Sequence, residues 1–597
     1  MTDIDPGERL SEVYRAILSR APEHDLVPSL DRIRAVTDLL GEPQASLRAV
    51  HLTGTNGKTS TTRIVERLLR EHGLRTGRFV SPHLSDVRER IAIDGEPLSP
   101  ERFVEVYDEV APYLDLVDAR SAETGGPRMT FFEVLVAMAY AAFADAPAEV
   151  AVVEVGMGGS WDATNVIDAE VAVITPIAID HQHFLGHEIG PIATEKAGII
   201  KPGAVAIIAQ QDSPEAAEIL LSRAAEVGAT VAREGLEFGV AAREVAIGGQ
   251  LLTLQGLGGL YEDVFLPLHG IHQAQNAVCA LAAVEAFLGA GPSSGRLDPD
   301  VVRAAFAAVD SPGRLEVVRR SPTIMVDAAH NPAGAQALAD SIDDAFGFAR
   351  LVGVVGVMAD KDVIGILDAL QPVLDEVVVT RSSSPRAMAP DDLAEIAREV
   401  FGEDRVHVAD RLDSALDLAV ARAEVDHQPG SGVLVTGRSR WPERCARCCG
   451  WSDEIPAPHP RREHARAGVD LGVPRRPGRQ GHHHHQPRPL DADPGAAGPG
   501  LPAGRRDAAL ARRVPAGQRA AGRRDRHRVL DPRDVRGRSG LRRAVVRRPA
   551  GRHPHRAGPR PDRARTRPAP AGGAILGGIL DRILELRPLV QGRVCPV

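Results

Sequence analysis

The segment Thr53-Gly-Thr-Asn-Gly-Lys-Thr-Ser60 has the residue types of a phosphate cradle. Gly54 and Gly57 allow a tight turn that brings backbone N–H groups close to an anion, with Asn56 between them. Lys58 can reach the β- and γ-phosphates of a nucleotide, and Thr59 or Ser60 can face Mg²⁺. The spacing Gly-x-x-Gly-Lys-Thr is two residues shorter between its glycines than the usual Walker A form, so a generic NTPase is a poor fit. An apolar strand, Ala49 to Leu52, precedes the segment, and a helical pattern, Ile64, Leu68 and Leu69, follows it. Together these predict an ATP site.

Ligands of open α/β sheets gather beyond the carboxyl ends of the strands, so polar residues following apolar runs are the next candidates. They are Ser81-Pro-His83, Glu154-Val-Gly-Met-Gly-Gly-Ser-Trp-Asp162-Ala-Thr-Asn165, Asp180-His181 and Thr194-Glu-Lys196. Mg²⁺ prefers a few protein oxygens completed by phosphate and water, which suits Glu154 and the hydroxyl of Ser81. A helix-capping role for Glu154 is the alternative. His181 supplies nitrogen, an unusual donor for so hard an ion. Lys196 is one of only four lysines, with Lys58, Lys201 and Lys361, and a surface ion pair is its ordinary reading.

These segments, with Asn276, Pro312-Gly-Arg314 and Asp327-Ala-Ala-His-Asn-Pro332, occur in an order that resembles the folylpolyglutamate synthases. The nearest likeness is to the bacterial dihydrofolate synthase/folylpolyglutamate synthase type of the Mur ligase family, over nearly all of residues 10 to 437. The resemblance implies an ATP-dependent ligase that adds L-glutamate to dihydropteroate, to folates, or to both, through an acyl phosphate. It implies ATP contacts from Gly54, Asn56, Gly57, Lys58, Thr59, Ser60, Asn276, Arg314 and Asp327, and two Mg²⁺ ions held with Ser81, Glu154 and His181. It further implies carbamylation of Lys196, catalytic roles for Lys58, Lys196, Arg314 and His330, and a pterin side formed by Thr130, Phe131, Phe132, Glu133 and Asp162. The region Leu26 to Asp31 would close over the pteridine. Another Mur-type ligase, or a chain that binds nucleotide without turnover, are the competing readings.

The elements that must position these groups can be read from periodicity. From Val50 to about Leu288, buried strands alternate with helices, the pattern of a mostly parallel α/β sheet. Strands are expected at Ala49 to Leu52, Arg78 to Val80, Val150 to Val155, Val171 to Ile174 and Ala204 to Ile208, and a β-rich excursion at Val240 to Leu268. A helix is expected to open at Gln275, with Asn276 at or near its cap. A second α/β series starts after Ser311-Pro-Gly-Arg314 and ends with a strand at Gly432 to Thr436. The expected fold class is α/β, a P-loop ATPase domain over 1–309 followed by a Rossmann-like ligase domain over 310–437. Cys279, inside an apolar helical run, reads as core.

Charge divides the chain sharply. Residues 1–437 hold 35 Lys plus Arg against 66 Asp plus Glu, whereas 438–597 hold 36 against 14, and the sum is the net −9 of the whole. The last 160 residues contain no Lys, Asn, Phe, Tyr or Met, all encoded by codons that begin with two A/T positions. That absence suits a G+C-rich strand read out of frame, so the 438–597 segment is expected to be an off-frame, unstructured tail, with the shift at or near Gly437. Zinc binding by Cys445-Ala-Arg-Cys-Cys449 or His482 to His485 is rejected, because no second cysteine pair stands at finger spacing. Without interleaved aromatics, the Arg-rich tail predicts no specific nucleic-acid partner. The acidic start and the lack of a long apolar run predict a cytoplasmic protein that does not enter a membrane. A monomer is expected.

Overall fold

The computed structural model describes residues 6–22, 28–180, 182–382, 384, 386–425 and 430–437. The expectations placed on His181, on Leu26 and Val27, and on 438–597 therefore lie outside the described residues. Three sheets organise the rest.

The first sheet has eight strands: β1 (Ala49–Thr53), β2 (Thr76–Phe79), β3 (Ile91–Ile93), β4 (Glu96–Pro97), β5 (Val150–Glu154), β6 (Val171–Ile174), β7 (Val205–Ile208) and β8 (Thr230–Arg233). Their spatial order is β4-β3-β2-β5-β1-β6-β7-β8. All pairs are parallel except β2 with β3 and β3 with β4. The central strands β1 and β5 are buried at every position, as their apolar sequences require of a parallel sheet covered on both faces. Alternation decides which layer each side chain meets. Val50, Leu52 and Val152 pack with helices Lys58–Glu71 and Ile271–Leu288. Ala49, Ala151 and Val153 pack on the opposite face, with helices Pro100–Glu123 and Phe131–Asp145.

The β-rich excursion is an antiparallel sheet of β9 (Gly239–Ala246), β10 (Gly249–Gln255) and β11 (Leu260–Leu266). The third sheet is built from β12 (Glu316–Arg320), β13 (Thr323–Val326), β14 (Arg350–Val355), β15 (Glu376–Val379), β16 (Val406–Val408) and β17 (Ser431–Thr436). Its order is β12-β13-β17-β14-β15-β16, parallel apart from the β12–β13 pair. The last described strand, β17, thus lies inside the sheet between β13 and β14.

One expectation needs correction. The helix expected from Gln275 begins at Ile271, so Asn276 lies in its second turn and is not a cap. Gly270, at φ 93°, is the residue that stops the chain before the helix. Polar His272 and Gln273 interrupt the apolar pattern in the first turn, which hides the true start of the helix in the sequence.

Candidate active site

The cradle forms where β1 hands over to helix Lys58–Glu71, with Gly57 as the helix N-cap at φ 88°. A Cβ on Gly57 would sit 2.4 Å from Asn276 Oδ1, so the absent side chain lets the second helix approach the turn. Gly54, at φ 148°, leaves still less room: a Cβ would fall 1.8 Å from Thr175 Oγ1. Lys58 Nζ folds back to donate to the carbonyls of Gly54 at 3.0 Å and Thr55 at 3.1 Å. Lys196 Nζ donates to that same Gly54 carbonyl at 2.8 Å. Two amines on one buried oxygen repel each other when both are charged. Burial first, and then Lys58, bring Lys196 down to about 7, and burial also lowers Lys58.

Sequence left open which hydroxyl of the cradle faces the metal side. Thr59 Oγ1 donates to Glu154 Oε1 at 2.9 Å, whereas Ser60 Oγ pairs with Ser311 Oγ at 3.1 Å. Glu154 ends β5, and its second oxygen accepts the Ser81 backbone N–H at 3.3 Å. Burial pushes Glu154 up, while Lys58 and the Thr59 hydroxyl pull it back. A buried carboxylate beside a threonine hydroxyl, near a lysine and a phosphate cradle, is the oxygen donor set that suits Mg²⁺. Among the described residues no group of three or more His, Cys, Asp or Glu forms a metal cluster by itself.

The third sheet brings its own groups to this point. Asp327 follows β13 and accepts N–H groups from Leu315 at 2.8 Å and Ala329 at 2.7 Å; burial raises it, with Arg314 acting in opposition. Arg314 lines the cavity, and its charge also acts on Lys58, Glu154 and His272. Asn331 caps helix Pro332–Ala345 through Oδ1 to Gly334 N, and exchanges amide hydrogen bonds with Asn56 of the cradle at 3.2 and 3.1 Å. Its Nδ2 also reaches Asp180 Oδ2 at 3.2 Å. Asp180 forms an ion pair with Lys361 and lies 3.5 Å from His330 Nε2. The carboxylate before His181 thus joins the two parallel sheets.

The pterin-side candidates separate into two groups. Thr130 and Glu133 form a capping box at the start of helix Phe131–Asp145, and Glu133 carries a buried ion pair with Arg32. Phe132 faces the cavity and packs edge-on against Phe79, with ring centroids 5.7 Å apart. Phe131 does not line the cavity: it is core, with the Arg90 guanidinium 5.2 Å above its ring. Asp162 lines the cavity, caps the short helix Ala163–Val166, and is pushed up to about 6 by burial despite N–H donors from Thr164 and Met157.

One cavity of about 850 Å³ takes in all of these walls: Thr55 to Ser60, Ser81, Glu154, Asp162 and Phe132 from the first part, and Arg314, Asp327 to Gly334 and Lys361 from the second. Ser29 and Arg32 close its far side. Sequence reasoning missed Arg32, Ser311, Asn331 and Lys361 as site residues. Asn331 stood inside a quoted motif and Lys361 among four lysines, which were usable signals. Ser311 adjoins the Pro312-Gly-Arg314 motif, whereas Arg32 carried no signal.

Two family models match the chain: the Mur ligase middle domain over residues 116–284, and the Mur ligase glutamate ligase domain over residues 313–439. The chain is 56% identical to the dihydrofolate synthase/folylpolyglutamate synthase of Mycobacterium tuberculosis over 446 residues, 72% of this chain and 91% of that one. It is 33% identical to the Escherichia coli protein of the same name, covering 66% and 86%. A crystal structure of the M. tuberculosis folylpolyglutamate synthase complexed with ADP and AMPPCP matches with a TM-score of 0.71 at 52% identity, covering 75% of this chain and all of that one. An FPGS–AMPPCP–folate complex matches at 0.64 and 30% identity, covering 74% of this chain.

Proposed function

Because the chain belongs to the dihydrofolate synthase/folylpolyglutamate synthase family of Mur ligases, and so is an ATP-dependent ligase of glutamate onto folates, we propose a division of labour among the walls of its cavity. The observation that supports it is the single cavity shared by the cradle, the Phe132–Asp162 wall and the third sheet. Residues 1–309 would hold ATP and the pterin acid, and 310–437 would bring the amino acid and close over the phosphates.

The chemistry follows from the charges. A carboxylate of dihydropteroate or of a folate attacks the γ-phosphorus to give an acyl phosphate and ADP. The glutamate amine then attacks the acyl carbon, and phosphate leaves. Lys58, now folded onto carbonyls, swings to the transferring phosphoryl group, where its charge stabilises the transition state. The Gly54 to Thr59 backbone and the helix N-terminus hold the phosphates. Arg314 approaches the γ-phosphate from the other domain, Asp327 accepts from the ribose, and Asn276 faces the adenine side. His330 stands near the incoming amine. No side chain need act as nucleophile, so positioning and electrostatics supply the rate.

Thr59, Ser81 and Glu154, with His181 outside the described residues, would hold Mg²⁺, which neutralises the phosphate charge when bound. Lys196 suits carbamylation because its buried amine, brought down to about 7, is largely neutral at physiological pH, and neutral amines are the form that takes up CO₂. A monomeric, cytoplasmic enzyme completes the proposal; no helix among the described residues is long and apolar enough to cross a membrane.

The test is phosphate release from ATP with dihydropteroate, tetrahydrofolate or a UDP-muramoyl acid as acceptor. Release that requires both a pterin acid and L-glutamate is expected, and Lys58→Ala should lower kcat on the order of 10²–10³-fold. Turnover with the UDP-muramoyl acid alone would overturn the substrate reading. Nucleotide binding without release would mean an inactive chain.

A further inference from the structure

His51 has no part in the chemistry above, yet it is fully buried in the middle of β1, two residues before the cradle begins. Alternation along β1 turns it toward the layer of helix Phe131–Asp145 and away from the nucleotide helix. There its Nε2 lies 2.9 Å from Thr164 Oγ1. The Thr164 hydroxyl has a single proton, and it donates that proton to Asp162 Oδ1. Thr164 Oγ1 must therefore accept from His51, which fixes the ring as the neutral tautomer protonated on Nε2. Nδ1 is left buried without a partner among the described residues. A core histidine chosen for packing alone would not be expected to leave a buried acceptor unpaired, at a cost of roughly 1–3 kcal/mol.

The turn that carries this relay is fixed from several sides. Tyr140 Oη donates to the Thr164 carbonyl at 2.7 Å, and Lys201 Nζ donates to the carbonyls of Asn165 at 2.9 Å and Ile167 at 2.6 Å. Burial first, and the Lys201 charge second, hold His51 down to about 3, so the ring stays neutral at any working pH. Tyr140 is held far above its ordinary value by burial and by Asp162, so it also stays protonated. Lys58 and Lys196 are the other charged groups acting across to Asp162. With both charge states fixed, the relay points one way, from His51 to Thr164 to Asp162. The Thr164 hydroxyl and N–H occupy Asp162 Oδ1, and the Met157 N–H takes one lone pair of Oδ2, so a donor entering the cavity meets the second lone pair of Oδ2.

We propose that His51 is a positioning residue for the pterin acid: through Thr164 it holds Asp162 ionised and oriented, so that the carboxylate accepts from the 2-amino-4-oxopyrimidine edge. This rests on the reading of Asp162 as a pterin contact. A protonated Asp162 would present a donor to a substrate edge that itself donates. A hydroxyl polarised by an imidazole N–H is a stronger donor to a carboxylate than the same hydroxyl alone. Removing the imidazole therefore raises the Asp162 pKa above its value of about 6 and moves the acid limb of pterin kcat/KM toward higher pH.

The experiment measures KM for dihydropteroate, ATP and glutamate, with pH profiles, in His51→Leu, His51→Gln, Thr164→Val, His51→Leu/Thr164→Val and Asp162→Asn. Gln can place an amide N–H where Nε2 stands. Expected results are a rise of about tenfold in pterin KM and a shifted acid limb for His51→Leu, with ATP and glutamate KM unchanged within about twofold. His51→Gln should restore most of the loss, and the double variant should be no worse than Thr164→Val alone. Equal losses for all three substrates, absence of rescue by Gln, or additive effects in the double variant would overturn the proposal. If His51→Leu fails to fold, Thr164→Val carries the test, because it keeps the backbone N–H to Asp162; an unchanged pterin KM and acid limb there would overturn it. The two readings fail differently: Asp162→Asn without effect on pterin KM removes Asp162 as the contact, whereas an effect there but none in His51→Leu or Thr164→Val removes only the relay.

Discussion

At the scale of single residues, the conflict at the Gly54 carbonyl has the clearest chemical consequence. Lys58 and Lys196 share that oxygen, and burial followed by the Lys58 charge brings Lys196 down to about 7, well below an ordinary lysine. Below about pH 7 Lys196 is an ammonium and inert toward CO₂, and above it the free amine dominates. Activity that depends on dissolved bicarbonate is therefore expected, with the carbamate forming on the alkaline side of that value. Native mass spectrometry should show one added CO₂, and Lys196→Ala should lose activity that short carboxylates partly restore. Indifference to bicarbonate, with no adduct, would count against the modification. Glu154, Asp162, Asp327 and Lys58, all of which line the cavity, were legible because each stands in a motif at the end of an apolar run. Arg32, which pairs with Glu133, was not, since a lone arginine at the start of a helix carries no sign of a partner a hundred residues away.

At the scale of elements, the strand-to-helix turns decide where those groups stand. Gly57 combines φ 88° with the nearby Asn276 side chain, so Gly57→Ala meets both a backbone and a contact penalty. The left-handed conformation alone costs about 1–2 kcal/mol. The substitution should raise ATP KM by about tenfold or more and lower the denaturant midpoint slightly; unchanged ATP kinetics would show that the cradle tolerates a side chain. The α/β alternation was readable because parallel strands buried on both faces make continuous apolar runs, and this holds for β5, β6, β13 and β14. Helix Pro100–Glu123 was missed because its apolar stripe, Phe103, Val106, Val110, Leu114 and Val117, is diluted by charge and contains Pro112. The start of helix Ile271–Leu288 was misplaced for a related reason: polar His272 and Gln273 belong to the cavity wall.

At the scale of the whole molecule, the parallel sheets meet through a small polar clasp: Asp180 with Lys361, Asn331 and His330, and Asn56 with Asn331. Lys361→Met leaves the buried Asp180 carboxylate with weaker partners and should cost about 3 kcal/mol. Because the pair spans the two sheets, calorimetry should also show less coupled unfolding of the two halves than in the parent, as broader or better separated transitions. An unchanged unfolding profile would mean that other contacts couple the halves. The members of this clasp mostly stand in motifs, but their pairing could not be read from sequence, because they are separated by up to 305 residues, from Asn56 to Lys361, and only the folded topology brings them together.

The position of β17 has a consequence for how the protein is made. The third sheet has its last-synthesised described strand in its interior, so β13 and β14 have no neighbour between them until residues 431–436 have left the ribosome. The eight-stranded sheet has all its strands by residue 233 and can begin to assemble on the nascent chain long before then. A coding error upstream of codon 431 would leave a permanent gap in the ligase half. The described lining of the ligand cavity ends at Gly437, so every residue of it precedes the 438–597 segment in translation.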